Sequence, residues 1–599
     1  MRKLLAQLES KPLEPVILRL LSAWCVSSMG FYIAAGGEVT ELTAFSRFPL
    51  WLVLLSVSAG YTLIWGAGRL TRTRVEIWAL PLCFLAFSLL TAATLCDWYV
   101  AFLLTALWAA LVFYYQKQGL IRLRPKITRR SALLAVGATA AVFALLVGGV
   151  GVLRYLSYRA PNYDFGIFSQ MFYSMKTRFT PVTTCERDGA LSHFAIHASP
   201  ILYLLLPVYA VFSSPATLQI CQALILASAA VPLWLLGRRR GLSPAVAAGA
   251  TVLLLLHPAV AGGTNYDFHE NCFLLPLLLW TFYFFEREKY LPMAVFALLT
   301  LCVKEDAAVY LIFFALFIAA DRRNYRVSAA LALGAAVWFA AALFLLSHYG
   351  NGVMVNRYRN FIVGDGGLPE AVRNLLADPG YAFTQLLTDS KGGTEEKLLF
   401  LFQMFAPLAL LPFCVKKISR LTLLFPLILI NLLTTYVYQF NIGYQYSFGS
   451  AAFVFYLCVL NLEVMDRALA RRFLAIGLFA CALCLLIGPM DRAVTYADAY
   501  FGEREAVSAV NEALAEVPDD ASVICSTYLL PRLSQRDTLY EVSYHKPAEG
   551  ERVDYVILDA RYNYLSYVER YEALGYRYEK TVSAGGRPLL YILRGGDSP

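Results

Sequence analysis

The sequence predicts a polytopic α-helical membrane protein with a small α/β domain at its C-terminal end. Of 599 residues, 59% are hydrophobic and only 16% charged, against about 45–50% and about 25% in soluble domains, which excludes a soluble enzyme. The hydrophobic residues recur in blocks of about 17–23, the helix length needed to cross a hydrocarbon core of roughly 30 Å. Charge is also divided unevenly. Residues 490–599 hold 12 Lys and Arg against 18 Asp and Glu, and the rest of the chain 39 against 24. The basic excess sits in short turns: Arg69, Arg72 and Arg74; Lys117, Arg122, Arg124, Lys126, Arg129 and Arg130; Arg238 to Arg240; Arg322, Arg323 and Arg326; Lys416, Lys417 and Arg420; Arg467, Arg471 and Arg472. This is positive-inside patterning, so the net charge of +9 is no sign of nucleic acid binding.

Four apolar blocks come first, at 15–36, 48–67, 75–95 and 97–115, with acidic turns at Glu38/Glu41 and Asp97 facing away from the arginine turns. They define an N-terminal region, 1–130. The first block is read as an uncleaved helix, because its polar lead-in is long and the run exceeds a typical signal segment. A membrane domain, 131–489, follows. Its first block, 131–153, leads into a long polar loop, 154–199; blocks at 199–237, 243–262, 271–286, 290–303, 305–320 and 327–347 lead to a second loop, 348–397; blocks near 398–414, 421–440, 446–463 and 473–489 complete about fifteen spans. That count puts the N-terminus in the cytoplasm and residues 490–599 outside, in a plasma (inner) membrane.

The tail alternates helical stretches, Phe501 to Val517 and Tyr562 to Leu574, with β-rich runs at Ala521 to Thr527, Asp554 to Ala560 and Arg587 to Arg594. Strands alternating with helices imply a partly parallel sheet. It carries neither a dinucleotide fingerprint nor a P-loop. The 12 cysteines form no disulfide or zinc framework; most fall inside apolar blocks and act as small hydrophobes.

Polar residues at the predicted outer ends are the chemical signal, because ionisable groups embedded at helix ends are costly and face cavities. Asn162-Tyr163-Asp164-Phe165-Gly166 offers a carboxylate between aromatics, suited to accept a proton or to cap the helix that follows. Ser192 to His197 spaces His193 and His197 four apart, on one face if helical, a pair suited to a divalent metal or a phosphate. Asn265 to Asn271 gathers Asp267, His269 and Glu270 in one turn. Lys304-Glu305-Asp306 joins two short blocks, and a charged triplet at a broken helix should line a cavity. Lys304 is either neutralised by its neighbours or holds a phosphate as a point charge.

Together Tyr163-Asp164-Phe165-Gly166, His193 with His197, Asp267-Phe268-His269 and Lys304-Glu305-Asp306 resemble a family of predicted bacterial and archaeal membrane proteins. That family is distantly related to the GT-C glycosyltransferases, such as protein mannosyltransferases and aminoarabinose transferases. The resemblance covers residues 131–560. It implies a GT-C-like membrane domain that transfers a sugar from a polyprenyl-phosphate donor to an extracytoplasmic acceptor, with inversion. By the resemblance Asp164 matches the general-base position; Asp267 and Glu305 are the further candidate catalytic carboxylates, to which that role would otherwise fall. Tyr163, His193, His197, His269, Lys304 and Asp306 are expected to contact substrate, and Lys304 with Arg357 and Arg359, two arginines of the motif-free second loop, are the outer-side cations expected to serve the phosphate. Many GT-C members carry paired acids at the base position, whereas Asp164 is flanked by Tyr163 and Phe165. His193, His197, Asp267 and His269 are expected to share an outer cavity that holds a divalent metal or the donor phosphate. No other cofactor is implied. A transporter or lipid flippase and a non-catalytic scaffold are the rival readings.

Overall fold

An apolar run becomes a membrane-length helix only where nothing interrupts its backbone ladder. The computed structural model describes residues 13–35, 48–120, 127–264, 266–351, 355–388, 393–547, 552–562 and 564–595. Glu38, Glu41, Arg122, Arg124, Lys126 and Asn265 therefore lie outside the described residues. Among those described, nine helices are long and apolar enough to cross a membrane, or ten if a bent pair, Pro244–Leu256 with Pro258–Thr264, is one span.

The expected fifteen spans are not recovered, and the reason is local. The blocks at 271–286, 290–303 and 305–320 form helices of 13, 12 and 11 residues, Leu274–Glu286, Tyr290–Leu301 and Ala307–Phe317. The block at 421–440 becomes a succession of 3-10 and π turns. Hydrophobicity reports avoidance of water, and a run of 10–14 residues suits a buried core helix as well as a span. Irregular backbone is tolerated at membrane depth where protein surrounds it.

The chain divides into two compact units. The first comprises Met1–Ile127, Ala406–Ala409 and Arg467–Asp491. Its helices include Glu14–Ala34, Leu50–Thr71, Glu76–Leu95, Trp98–Lys117 and Arg467–Leu485. Asp97, read above as an acidic turn, caps Trp98–Lys117 by accepting from the N–H groups of Tyr99 and Val100 at 2.7 and 3.0 Å. Glu76 is buried and neutralised by Arg19 and Arg74 at 3.4 and 3.5 Å. Trp108 stacks on Phe479 at 4.6 Å.

The second unit holds Thr128–Phe405, Leu410–Asp466 and Arg492–Pro599. Helix Arg129–Leu156 leads through Pro161 into a π turn, Asn162–Gly166, and helix Ile167–Arg178. A hairpin follows, β1 (Val182–Arg187) antiparallel to β2 (Gly189–Ser192). The C-terminal part folds as β3 (Val523–Cys525), β4 (Leu539–Glu541), β5 (Tyr555–Asp559), β6 (Arg577–Ala584) and β7 (Arg587–Arg594), in the order β4-β3-β5-β7-β6. β3 runs parallel to β4 and β5, and β7 antiparallel to β5 and β6. The partly parallel sheet expected from the sequence is present, with two strands, β4 and β6, that its pattern did not reveal.

This sheet shares a core with the segment that follows Arg129–Leu156. Tyr158 and Cys185 lie in one buried cluster with Val523, Leu530 and Ile557. The Asn162 N–H donates to Thr527 Oγ1 at 2.9 Å, and Thr184 exchanges hydrogen bonds with Leu539 at 2.8 and 2.9 Å. Gly166 sits at the seam: a Cβ there would stand 2.5 Å from Leu530 Cδ2 and 2.6 Å from Asn162 Oδ1. Overpacking of this kind costs about 1–3 kcal/mol. Gly166→Ala is expected to unfold at lower temperature in detergent, while Gly149→Ala, with nothing within 4 Å of the new carbon, is not. Equal midpoints for the two variants would show that the seam yields without cost.

Candidate active site

The π turn widens the backbone just before helix Ile167–Arg178 and puts Asp164 inside it. The helix has no side-chain cap, so the capping reading of Asp164 is not what the geometry displays. Its carboxyl lines a cavity of about 700 Å³ together with Tyr163, Glu186, His193, His197, His269, Lys304 and Arg357. The Tyr266 hydroxyl hydrogen-bonds to it. Desolvation, then the charge of Asp267, raises the Asp164 carboxyl to about 6, against the opposing pull of Lys304 and Arg357. Glu186, on β1, is raised to about 7, chiefly by burial, with Arg187 lowering it and Asp164 raising it. Its Oε2 is buried and makes no hydrogen bond among the described residues.

The three cavity histidines are neutral. Burial pushes His193 down to about 3, and burial with Lys304 as the next cause holds His197 and His269 well below the usual imidazole range. His193 lies in a 3-10 turn, His193–Ala195, rather than a helix, and its ring is 5.8 Å from that of His197. Neither ring nitrogen of His193 has a hydrogen-bond partner among the described residues. His197 Nδ1 lies 3.0 Å from Glu305 Oε1, and the Ala198 N–H donates to Glu305 Oε2 at 3.1 Å. A neutral imidazole donating from Nδ1 keeps Nε2 as an acceptor. Glu305 therefore orients His197.

Lys304 pairs with neither of its neighbours. Its ammonium is 3.5 Å from Glu270 Oε1, and Glu270 Oε2 is 3.1 Å from His269 Nδ1, all three residues being buried. Burial, opposed by Lys304, raises Glu270 to about 7. Arg357 lies over the rings of Tyr436 and Tyr446 at 4.9 and 5.2 Å, and both rings line the cavity.

A second cavity of about 210 Å³ adjoins the first. It is lined mainly by apolar side chains, among them Val309, Phe339, Leu343, Leu368 and Leu433, with Glu305 and Asp306 also on its wall. His197 and Arg357 line both cavities.

The remaining candidates fall elsewhere. Arg359 is exposed and lines neither cavity. Asp267 lines neither, because its carboxylate is 3.2 Å from Arg154 and accepts from Gln219 Nε2 at 2.9 Å. Among the described residues no group of three or more His, Cys, Asp or Glu side chains is arranged to hold a metal ion, so His193, His197, Asp267 and His269 do not form the expected ligand set. Sequence reasoning missed Tyr266, Tyr436, Tyr446 and Tyr544 as cavity or contact residues. Tyr266 adjoins Asp267 and was within reach of the motif argument, whereas Tyr544 enters from the C-terminal sheet region and carries no local signal.

Arg154 and Asp267 form a buried ion pair, and removing one charge strands the other at a cost of about 3–5 kcal/mol. Asp267→Asn is expected to lower the thermal midpoint of the purified protein sharply and Asp164→Asn to leave it nearly unchanged. The reverse ranking would refute a supporting role for Asp267.

A family model described as a predicted membrane protein (DUF2079) matches residues 154–574, the stretch that contains the whole cavity wall described above. Comparison with curated proteins finds no match. Among solved structures, the chain is similar to ArnT from Cupriavidus metallidurans bound to undecaprenyl phosphate, at 11% identity and a TM-score of 0.44, over 76% of this chain and 97% of that one. It is also similar to the apo state of the same protein, at 12% identity and a TM-score of 0.40, over 76% and 98% of the two chains. The family match extends over most of the sequence, and the chain belongs to the DUF2079 family of predicted membrane proteins.

Proposed function

We propose that this protein is an inverting membrane glycosyltransferase of GT-C type that uses a polyprenyl-phosphate sugar, with Asp164 as general base. One observation carries the reading: a polar cavity holding Asp164 and an apolar cavity meet at His197 and Arg357. An amphiphile with a prenyl tail, a phosphate and a sugar fits that sequence of environments. The first isoprene units occupy the apolar cavity, the phosphate lies at the junction, and the sugar enters the polar cavity.

In this reading Asp164 takes the proton of the acceptor hydroxyl. The oxygen attacks the anomeric carbon from the face opposite the phosphate, the carbon–oxygen bond to the phosphate breaks, and polyprenyl phosphate leaves. Lys304 and Arg357 stabilise the charge that develops on the leaving group. Neutral His197, oriented by Glu305, accepts a hydrogen bond from a sugar hydroxyl. Asp267 acts through position, holding the turn that carries Tyr266 and His269. The positive-inside pattern assigns this chemistry to the extracytoplasmic side of the plasma membrane.

The test is transfer by purified protein in lipid nanodiscs, supplied with a panel of polyprenyl-phosphate sugars. Asp164→Asn is expected to bind the donor and to lose about 10²–10⁴ in rate. Near-normal transfer by this variant, with loss in Glu186→Gln, would move the base to Glu186.

The base must be ionised to act, and its folded value is raised to about 6. Activity is therefore present above pH 6 and falls about tenfold per unit below it. Lys304 lowers the Asp164 value, so its removal makes ionisation harder. The acid limb of the pH profile should move upward in Lys304→Met; a midpoint that stays in place would mean that another group titrates.

A further inference from the structure

We infer that residues 361–388, expected from the sequence to belong to a polar outer loop, form a helix pair seated in the lipid of the outer leaflet, with an unpartnered apolar stripe lying on acyl chains. The inference goes beyond the transferase reading and does not depend on it. The pair is helix Gly367–Ala377 followed by helix Pro379–Leu387. At about 3.6 residues per turn, Leu368, Ala371, Val372, Leu375 and Leu376 fall within about 140° of the first helix, with Glu370, Arg373 and Asn374 opposite. Ala382, Phe383, Leu386 and Leu387 fall within a similar arc of the second helix, which contains no charged residue.

Only part of each stripe is used inside the protein. Ala371, Leu375, Ala382 and Leu386 pack in one cluster with Phe361 and Leu433. The other part faces outward: Leu376 is 76% exposed, Phe383 73% and Leu387 48%. None of these three lines either cavity. A helix with a polar face and an apolar face divided in this way lies in the plane of a membrane surface, its apolar side at the acyl boundary.

Two further observations favour lipid as the occupant of the outward stripe. The apolar cavity is walled by Leu368, Ala371 and Leu375 of the pair and by Phe339 and Leu343 of the membrane-length helix Tyr325–Tyr349. Phe339 and Leu343 stand ten and six residues before the end of that helix, about 15 and 9 Å along its axis. Arg322, Arg323 and Arg326 mark its other end, so Tyr349 is at the outer one. The pair therefore borders a cavity that extends below the outer end of a span. Its terminal backbone groups are also met by side chains of the protein. Glu370 accepts from the N–H groups of Val363, Gly364 and Gly366, each at 3.0 Å, and Asp378 from that of Tyr381 at 2.9 Å. Lys397, fully buried, donates to the carbonyls of Gln385 and Thr388 at 2.7 and 3.1 Å. Helix ends need such internal partners where water is scarce.

Nitroxide labels on the full chain in lipid nanodiscs test this, in a background with Cys83, Cys96, Cys302 and Cys414, the native cysteines that are not buried, changed to serine. Leu376→Cys and Phe383→Cys are labelled in separate samples. The references are Leu345→Cys, at a position 52% exposed on helix Tyr325–Tyr349 by the same measure that gives the stripe its exposure, and Leu574→Cys, at a position 54% exposed in the C-terminal part; in the membrane the first meets lipid and the second water. Spin relaxation is measured with oxygen, which dissolves among acyl chains, and with a polar nickel chelate, which hydrocarbon excludes. The ratio of oxygen to nickel accessibility at 376 and 383 should match that at 345 within about threefold and exceed that at 574 by about tenfold or more. Should one variant fail to fold, Leu387→Cys, on the same stripe, takes its place. A ratio like that of Leu574→Cys at either position means that the pair stands in water and overturns the inference. Low accessibility to both probes means that a protein surface, such as a second copy of the chain, covers the stripe, and overturns it equally.

Discussion

The buried ion pair between Arg154 and Asp267 is the constraint on which the polar site depends. Arg154 ends a membrane-length helix, and Asp267 stands in a turn with no regular structure of its own. Two charges taken out of water hold each other in place, because separating them would expose each to an apolar surrounding. The same turn carries Tyr266, bonded to Asp164, and His269, in contact with Glu270 and through it with Lys304. Phe268 fills the space behind, against Phe168 and Phe172. One pair of charges thus sets the turn whose neighbours include a carboxyl, a hydroxyl, an imidazole and an ammonium.

The site is built from backbone that departs from regular helix. Asp164 lies in a π turn, His193 in a 3-10 turn, Lys304 in a break between two short helices, and Arg357 in a kinked 3-10 stretch. Each departure frees backbone groups that must find other partners, and such segments survive at membrane depth only inside protein or against a cavity. Irregularity and the clustering of ionisable side chains therefore have a common origin. Lys304 lies between two of the short helices that lowered the expected span count.

The C-terminal sheet is joined to this arrangement by polar contacts as well as by a shared core. Asp188, at the tip of the β1–β2 hairpin, meets His545 at 2.6 Å and accepts from the Lys546 N–H at 3.0 Å. Tyr544, one residue before, reaches the Asp164 cavity. The hairpin that bears Glu186 is thus held on one side by the sheet.

Composition, hydrophobic block length and charge asymmetry were sufficient for the membrane class, for the chemical distinctness of the tail and for its mixed sheet, since each depends on local transfer energetics or periodicity. The clustering of Asp164, His193, His197, His269 and Lys304 was legible for a related reason: ionisable groups at apolar boundaries have few places to go. What the pattern could not distinguish was a span from a buried short helix, because both exclude water. Nor could it separate Asp164 from Asp267, two carboxylates beside aromatics in similar turns. Only the tertiary structure paired Asp267 with Arg154, 113 positions away along the chain, turned Lys304 toward Glu270 rather than its neighbours, and brought Tyr544 from the far sheet to the cavity. Those choices follow from which charges meet after the chain is packed, and no local stretch of sequence contains that information.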